Sequence, residues 1–525
     1  MGIPYYFYHL VHKKRSIITY TQPKCSRFFL DFNSIIHLCS AQVVAQHPTD
    51  YTNIAIFKEI ANFTLELAKN VAPTDLLYIG VDGVAPRAKI QQQRKRRYMT
   101  AHRNDIIDGF KTTHKLPVTE WDSNCITPGT PFMHDLQAFL TDFFNAQAAA
   151  ATLPYKVILS GHDEKGEGEH KIIHYIKTNP QNTAADIIYG LDADLIMLCL
   201  GIPEATLYLL RETKYLDIQT LRTSISNHLY NKEDIALMYD YIFMCFFLGN
   251  DFVPSLPFLK IKSGAVDLLC DVYKKTYEEL QNQNLIVRHP DTNLFTVNHM
   301  FLSKVVEKLS ELETKYMQEA IEQHESLIFY PSSEKNKLTQ FVHELEHYPI
   351  LHRSSLTLCP MSDPQWRLKY YHHLFGSSSS STIKQCSLKY IEGLCWITNY
   401  YFNHQYDTTW YYPYDYSPSA LDINKYMCTM NTESLQTLQI TLSQTPEHQE
   451  LSCVHQMLMV LPPHSQQFVP QRYRCLYDDI SLGCVQWFPS KFNVETFMKT
   501  QLWECSPILP LVPSNETFMK LTKIV

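Results

Sequence analysis

The sequence predicts an α/β fold, a mostly parallel sheet with helices on both faces. Two observations predict it. Short apolar runs alternate along the first 210 residues with stretches that carry helical spacing. Several of the runs also end at an acid or at a loop that contains acids: Asp31, Asp82 and the GEGEH loop. In parallel sheets of this kind, ligands bind beyond the carboxyl ends of the strands.

Residues 28–33 (FFLDFN) read as a strand ending at Asp31, and 35–44 as a helix. Residues 54–71 repeat Ile56, Ile60, Phe63 and Leu67 at the spacing of one helix face and stop near Pro73. A strand over 76–81 ends at Asp82-Gly83, and the strongly basic stretch 89–103 follows. An alanine-rich helix is expected over 135–151, a strand over 155–159, a helix over 169–177 and further strands within 187–198 and over 207–210. The apolar run 239–248 predicts a buried helix leading into Gly249-Asn250-Asp251. Residues 267–330 read as mainly helical around a hairpin near Asp291-Thr292-Asn293. The stretches 331–337 and 376–382, the latter a serine run, are expected as loops or linkers. Residues 388–418 are dense in aromatics, and the tail after Asp422 alternates short helices with Pro-containing loops. This divides the chain into a catalytic core (1–265), a helical connecting segment (266–385) and a second region (386–525) packed on the site.

A chain of 525 residues is long enough for two or more domain-sized units. Its net charge of −7 excludes a globally basic nucleic-acid surface, so any such site must be a local patch. The 14 cysteines include no CxxC pair, which argues against a structural zinc site. Basic residues follow the first apolar segment instead of preceding it, and no run is long enough for a membrane span. Free thiols in a reducing compartment are therefore expected, the cytoplasm or else the nucleus. Gly2 raises N-myristoylation, but Tyr6 stands where that motif requires Ser or Thr.

The chemistry is concentrated between residues 159 and 198. Glu167 and Glu169 flank Gly168, while Asp192 and Asp194 stand two apart, facing one way if the backbone there is extended. The run Leu195–Leu198 after Asp194 reads as a buried strand or the start of a buried helix. Asp and Glu are seldom buried unless paired or metal-bound. Four of them beside apolar sequence, joined by Asp31, Asp82 and Asp251 at element ends, point to divalent cations. One such acid alone would be a cap or turn residue. On a helix, Lys89, Gln93 and Arg96 or Arg97 share one face suited to a phosphate, with Arg94 and Lys95 pointing elsewhere. A pocket for a terminal 5′ phosphate beside the metals would make cleavage exonucleolytic. His37 and Trp410 are candidates to stack on a base, set against ordinary packing. The segment His343–His347 matches HExxH, but Ile350 stands where a metzincin has Gly, and Pro349 follows closely.

Several longer blocks then resemble one family. FLDFNSIIH, VDGVAPRAKIQQQRKRR, NCITPGTPFM, GEGEHKI, GLDADLIML and LGNDFVPSLP, with MGIPYYF before them, are similar to the first conserved region of the XRN-type 5′→3′ exoribonucleases. WRLKYY, YIEGLCWITNYYF, WYYPYDYSP and VLPPHS resemble its second region. The resemblance implies a PIN-like or flap-nuclease-like core using two Mg2+ or Mn2+ ions. It implies processive hydrolysis of single-stranded RNA with a 5′ monophosphate to mononucleotides. It places the metal-binding acids at Asp31, Asp82, Glu167, Glu169, Asp192, Asp194 and Asp251, the 5′-phosphate pocket at Lys89, Gln93, Arg96 and Arg97, and the base-stacking pair at His37 and Trp410. The segment HLVHKKRS departs from the family's usual ending of its N-terminal block, the stretch between the two regions is short, and the extra C-terminal domains of large members are not matched. Those departures bear on partners and targeting, and a monomer with no membrane association is expected. A flap-type DNA nuclease would use the same acids. A non-catalytic RNA-end-binding protein would have no need of them.

Overall fold

The computed structural model describes residues 3, 5–181, 184–203, 205–230, 232 and 234–524. Gly2 lies outside them. Chain order begins with α1 (Tyr6–Lys13), β1 (Ile18–Thr19), β2 (Cys25–Asp31), α2 (Phe32–Gln46), α3 (Asn53–Val71), β3 (Leu76–Gly80) and the long α4 (Arg87–Thr113). It continues through α5 (Pro131–Ala149), β4 (Lys156–Ser160), α6 (Gly168–Thr178), β5 (Ala185–Tyr189), α7 (Asp194–Leu200), β6 (Leu207–Arg211) and β7 (Lys214–Asp217).

Among the described residues the seven strands form one sheet in the order β1-β7-β6-β5-β2-β3-β4. The five strands from β6 to β4 are mutually parallel, and β7 and β1 run antiparallel at one edge. The α/β class with a mostly parallel sheet is as the alternation of elements predicts. Successive residues of β2 feed opposite faces. Phe28 and Leu30 join the core under α2, α3 and α5, while Phe29 joins the core under α6 and α7. Covering both faces explains why β3 and β5 are buried along their whole length.

Beyond the sheet, α8 (Ile218–Leu229), α9 (Ile235–Phe246), α10 (Ala265–Glu279), the hairpin β8 (Ile286–Arg288) with β9 (Phe295–Val297), and α11 (His299–Ser326) make a helical body. Next come α12 (Lys337–Glu346), α13 (Tyr348–Leu351), α14 (Trp366–Phe375) and α15 (Ser380–Thr398), which runs into a π-helical turn at Asn399–Asn403. The core on the α6 and α7 side draws continuously on residues from Ile3 to Met498.

One local expectation is corrected and one alternative is decided. The serine run is not a linker throughout: Ser379 accepts from the Thr382 amide and caps α15, which Ser380 and Ser381 begin. Of the two readings for the run after Asp194, the buried helix holds, so Asp192 lies in the preceding loop and Asp194 opens α7.

A buried ion pair links two neighbouring strands of the sheet. Arg27 on β2 donates from Nε and Nη2 to Asp186 on β5, at 2.8 and 2.5 Å, with both side chains buried. Breaking such a pair strands a buried charge. Arg27→Ala is expected to cost about 3–5 kcal/mol of stability, and Arg27→Met with Asp186→Leu much less. Denaturant unfolding of both variants measures the difference.

Candidate metal centre and phosphate-binding face

Parallel strands put their carboxyl ends on one edge, and the acids collect there. Asp31 ends β2, and Asp82 lies two residues beyond β3. Glu167 and Glu169 flank the start of α6 after β4. Asp192 and Asp194 follow β5. Asp251 arrives from the helical side, on a tight turn after α9. There Asn250 Oδ1 accepts from the amides of Phe252 and Val253 at 2.9 and 3.0 Å. Gly249 enters that turn at φ 82°, where a side chain would also strike Ser255.

Close backbone packing brings the α6 acids in. A Cβ on Gly168 would lie 2.6 Å from the Gly80 carbonyl oxygen and 3.3 Å from Asp31 Oδ1. The glycine of GEGEH therefore lets the start of α6 rest on the end of β3. The Gly168 amide donates to Asp82 Oδ1 at 2.8 Å. The other Asp82 oxygen accepts from Asn33 Nδ2 at 2.9 Å, and Asn33 Oδ1 accepts from the Asp82 amide at 3.1 Å. Lys171 ties the edge together from below, donating to the carbonyls of Val81 and Gly161 at 2.9 and 2.7 Å.

The structure brings all seven predicted acids into one electrostatic neighbourhood. Burial, then the charges of Asp82 and Asp192, push the Asp31 carboxyl well above the usual range. Burial does the same to Glu169, with Glu167, Asp194 and Asp31 adding to it against Lys89. Asp194 is pushed up to about 7 by burial and by Asp251. Glu167 is raised by burial, with Lys89 opposing. Burial works in the same direction on Asp251, but the Lys89 ammonium, with Arg96 and the chain's amino terminus adding to it, holds that carboxyl below its ordinary value.

Lys89 is the organising cation. Its ammonium pairs with Glu167 Oε2 and lies 2.7 Å from Asp251 Oδ2. Burial disfavours that charge, but Asp251, Glu167 and Glu169 outweigh the penalty and raise its pKa. Lys89 thus reaches into the acids from the helix face expected to bind a phosphate. Among the described residues, no three His, Cys, Asp or Glu side chains are drawn to metal-holding spacing. The donor set nonetheless fits a hard divalent cation. Glu169 Oε2 and Asp194 Oδ1 are buried oxygens with no hydrogen-bond partner.

The candidate phosphate-binding face lies on α4. Arg97 donates from Nε to Thr127 Oγ1 at 2.9 Å and from Nη2 to the Ile126 carbonyl at 3.2 Å, while its Nη1 is buried and unpartnered. Gln93 Oε1 accepts from Gln456 at 3.1 Å. Arg96 is exposed. Arg94 and Lys95 do point elsewhere, Arg94 to the carbonyls of Trp487 and Pro510, and Lys95 to Asp415 at 2.5 Å. His37 on α2 is exposed. Dense packing around it, then Arg96 and Arg97, lower its pKa, so it is neutral at pH 7.

Of the two readings for Trp410, base stacking and ordinary packing, its surroundings show packing. It is 5% exposed and stacks on Trp396 with centroids 5.1 Å apart. HExxH forms no centre either. His343 donates to the Tyr330 carbonyl, His347 donates to the His343 carbonyl, and Glu344 faces solvent.

Sequence reasoning missed Tyr400, whose hydroxyl donates to Glu167 Oε1 from the π-helical turn. It missed Asn33 and Lys171 as well. The Asn two residues after Asp31 was the available signal for Asn33, whereas Tyr400 was hidden in an aromatic-rich stretch.

Residues 1–213 match the family model described as XRN 5′-3′ exonuclease N-terminus, and residues 230–355 and 357–524 match the Xrn1 helical domain. Human 5′-3′ exoribonuclease 1 is 29% identical over 98% of this chain and 33% of its own length. The Arabidopsis thaliana 5′-3′ exoribonuclease 2 is 26% identical over 92% of this chain and 61% of that protein. The Schizosaccharomyces pombe 5′-3′ exoribonuclease 1 is 25% identical over 98% and 48%. The chain thus spans about a third to three fifths of the length of these relatives. The solved structure of the T5 D15 protein co-crystallised with metal ions aligns at 9% identity over 56% of this chain and 96% of that one. Its TM-score of 0.27 is too low to carry weight.

Removing the Lys89 ammonium leaves buried carboxylates uncompensated. Lys89→Met is expected to lower the melting temperature in EDTA, and Mn2+ to raise it more in the variant than in the unmodified protein. Thermal scans with and without Mn2+ test this.

Proposed function

We propose that this chain, which belongs to the XRN 5′-3′ exonuclease family, hydrolyses single-stranded RNA from a 5′-monophosphate end, processively, releasing mononucleotides. The convergence of Asp31, Asp82, Glu167, Glu169, Asp192, Asp194 and Asp251 on one sheet edge supports the reading most directly. The 5′-3′ exoribonuclease names of its relatives add to it.

In this reading the seven acids hold Mg2+ or Mn2+, two ions together. Bound divalent ions of that kind lower the pKa of a water and offset charge on a leaving oxygen. The chain's own groups do the rest. The forked donors of Arg96 and Arg97, with Gln93 and the Lys89 ammonium, bind the terminal phosphate. Anchoring that phosphate beside the acids fixes which bond lies at the centre, so one nucleotide is removed per cycle. A cap or triphosphate is excluded by size and charge. The exposed face of neutral His37 stacks on a base near the end. No described helix is long and apolar enough to cross a membrane. The reading includes a monomer acting in the cytoplasm or the nucleus.

Asp194→Ala is expected to abolish nucleotide release from 5′-monophosphate RNA in Mg2+ while RNA binding persists. A time course of product length together with filter binding tests both halves, and full activity would remove Asp194 from the centre. Arg97→Ala is expected to reduce the preference for monophosphate over hydroxyl ends at least tenfold, for loss of a charge-assisted fork. Competition between matched substrates measures that ratio, and an unchanged ratio would take Arg97 out of the pocket.

A further inference from the structure

We infer that the ring column Trp410–Trp396–Tyr400 is a positioning device for Glu167, and that Trp410 acts through this column and not by stacking on a nucleobase. The inference rests on the metal-dependent reading of Glu167 given above.

The three rings are nearly parallel. Trp410 and Trp396 are inclined by 24° with centroids 5.1 Å apart, and Trp396 and Tyr400 by 12° at 5.0 Å. Both indoles are anchored by their N–H groups, Trp410 to Glu392 at 3.1 Å and Trp396 to the Asp407 carbonyl at 2.7 Å. The column therefore cannot slide along its own stacking direction without losing buried hydrogen bonds. Its inner member is boxed in on other sides. His170 lies 4.1 Å from the Tyr400 ring, Tyr406 4.6 Å and Phe252 5.0 Å, centroid to centroid.

A ring fixed in this way has one direction left for its hydroxyl, and that hydroxyl donates to Glu167 Oε1. The other Glu167 oxygen faces Lys89. Glu167 is 2% exposed, so water does not compete for either oxygen. The π-helical turn that carries Tyr400 is an irregularity of the kind that recurs at functional sites. Simple core packing would account for the rings. It would not require a phenol at the inner end with its hydroxyl spent on a buried carboxylate. Groups that hold a metal-binding carboxylate commonly matter tenfold or more to metal affinity.

Tyr400→Phe keeps the ring and removes only the hydroxyl. Calorimetric Mn2+ titration of the RNA-free protein is expected to show affinity reduced about tenfold. On 5′-monophosphate RNA, kcat is expected to fall about tenfold while KM for RNA stays within about twofold. Unchanged Mn2+ affinity and kcat would overturn the inference. If the unmodified chain releases no nucleotide, the nuclease reading fails, but the Mn2+ comparison still decides this one. Trp410→Leu is expected to show the same loss of kcat at constant KM, and Trp410→Phe to recover most of it. A raised KM with kcat and Mn2+ affinity intact would return Trp410 to base stacking and overturn its part. Should Trp410→Leu fail to fold, Trp410→Phe read against Tyr400→Phe decides between them.

Discussion

Mutual repulsion among buried carboxylates is the constraint on which this structure turns. Two charges a few ångströms apart interact weakly in water and several-fold more strongly where water is excluded. Seven acids at one sheet edge would drive that edge open if nothing answered them. Two features answer them here. The Lys89 ammonium stands between Glu167 and Asp251. Three helices also begin at the cluster, α2 after Asp31, α6 at Glu167 and Glu169, and α7 at Asp194, and each turns its positive end toward the acids. Neither Asp31 nor Glu167 uses its carboxylate to cap its own helix. Their oxygens stay directed at the cluster, where a cation can reach them. The compensation is partial, as the raised pKa values of Asp31, Glu169 and Asp194 record.

The architecture follows from delivering those charges to one place from distant parts of the chain. Parallel strands do this most economically, because every β-to-α crossover returns to the same edge. Asp251 cannot come from the sheet and arrives on a turn from the helical body. Lys89 comes from α4, whose neighbouring turns carry Gln93, Arg96 and Arg97. One helix therefore serves two tasks. Its first turn neutralises the acids, and its next two carry the candidate donors for a phosphate.

Much of this was legible in the sequence. Strand ends marked by Asp31 and Asp82 gave the edge, the spacing of GEGEH and GLDADL gave four more acids, and Asp251 stood at the end of an apolar run. What stayed hidden has physical reasons. The run after Asp194 is buried on all sides, and periodicity cannot separate a buried strand from a buried helix. Trp410 lies in a stretch so rich in aromatics that its sequence neighbours say nothing about which rings face inward. Lys89 read as a phosphate ligand because α4 shows a basic face. Only three-dimensional packing reveals that its long side chain reaches back into the acids. The serine run looked like a linker because the signal for a helix cap and the signal for a loop use the same residues.

The held state of Glu167 ties these threads together. One of its oxygens meets a cation from α4, and the other meets a phenol from the helical body. A carboxylate gripped from two segments more than 300 residues apart in sequence cannot be positioned by the sheet alone. The edge of a parallel sheet supplies acids in roughly the right place. Burying them without a competing shell of water, and fixing their orientation, requires a second layer closing over that edge. Here α9, α15 and the turn after it form that layer, bringing Asp251, Tyr400 and Tyr401 to the acids that the strands deliver. The helical body is therefore part of the charge-holding apparatus, and the low-dielectric surroundings that make the cluster costly without cations are of its making.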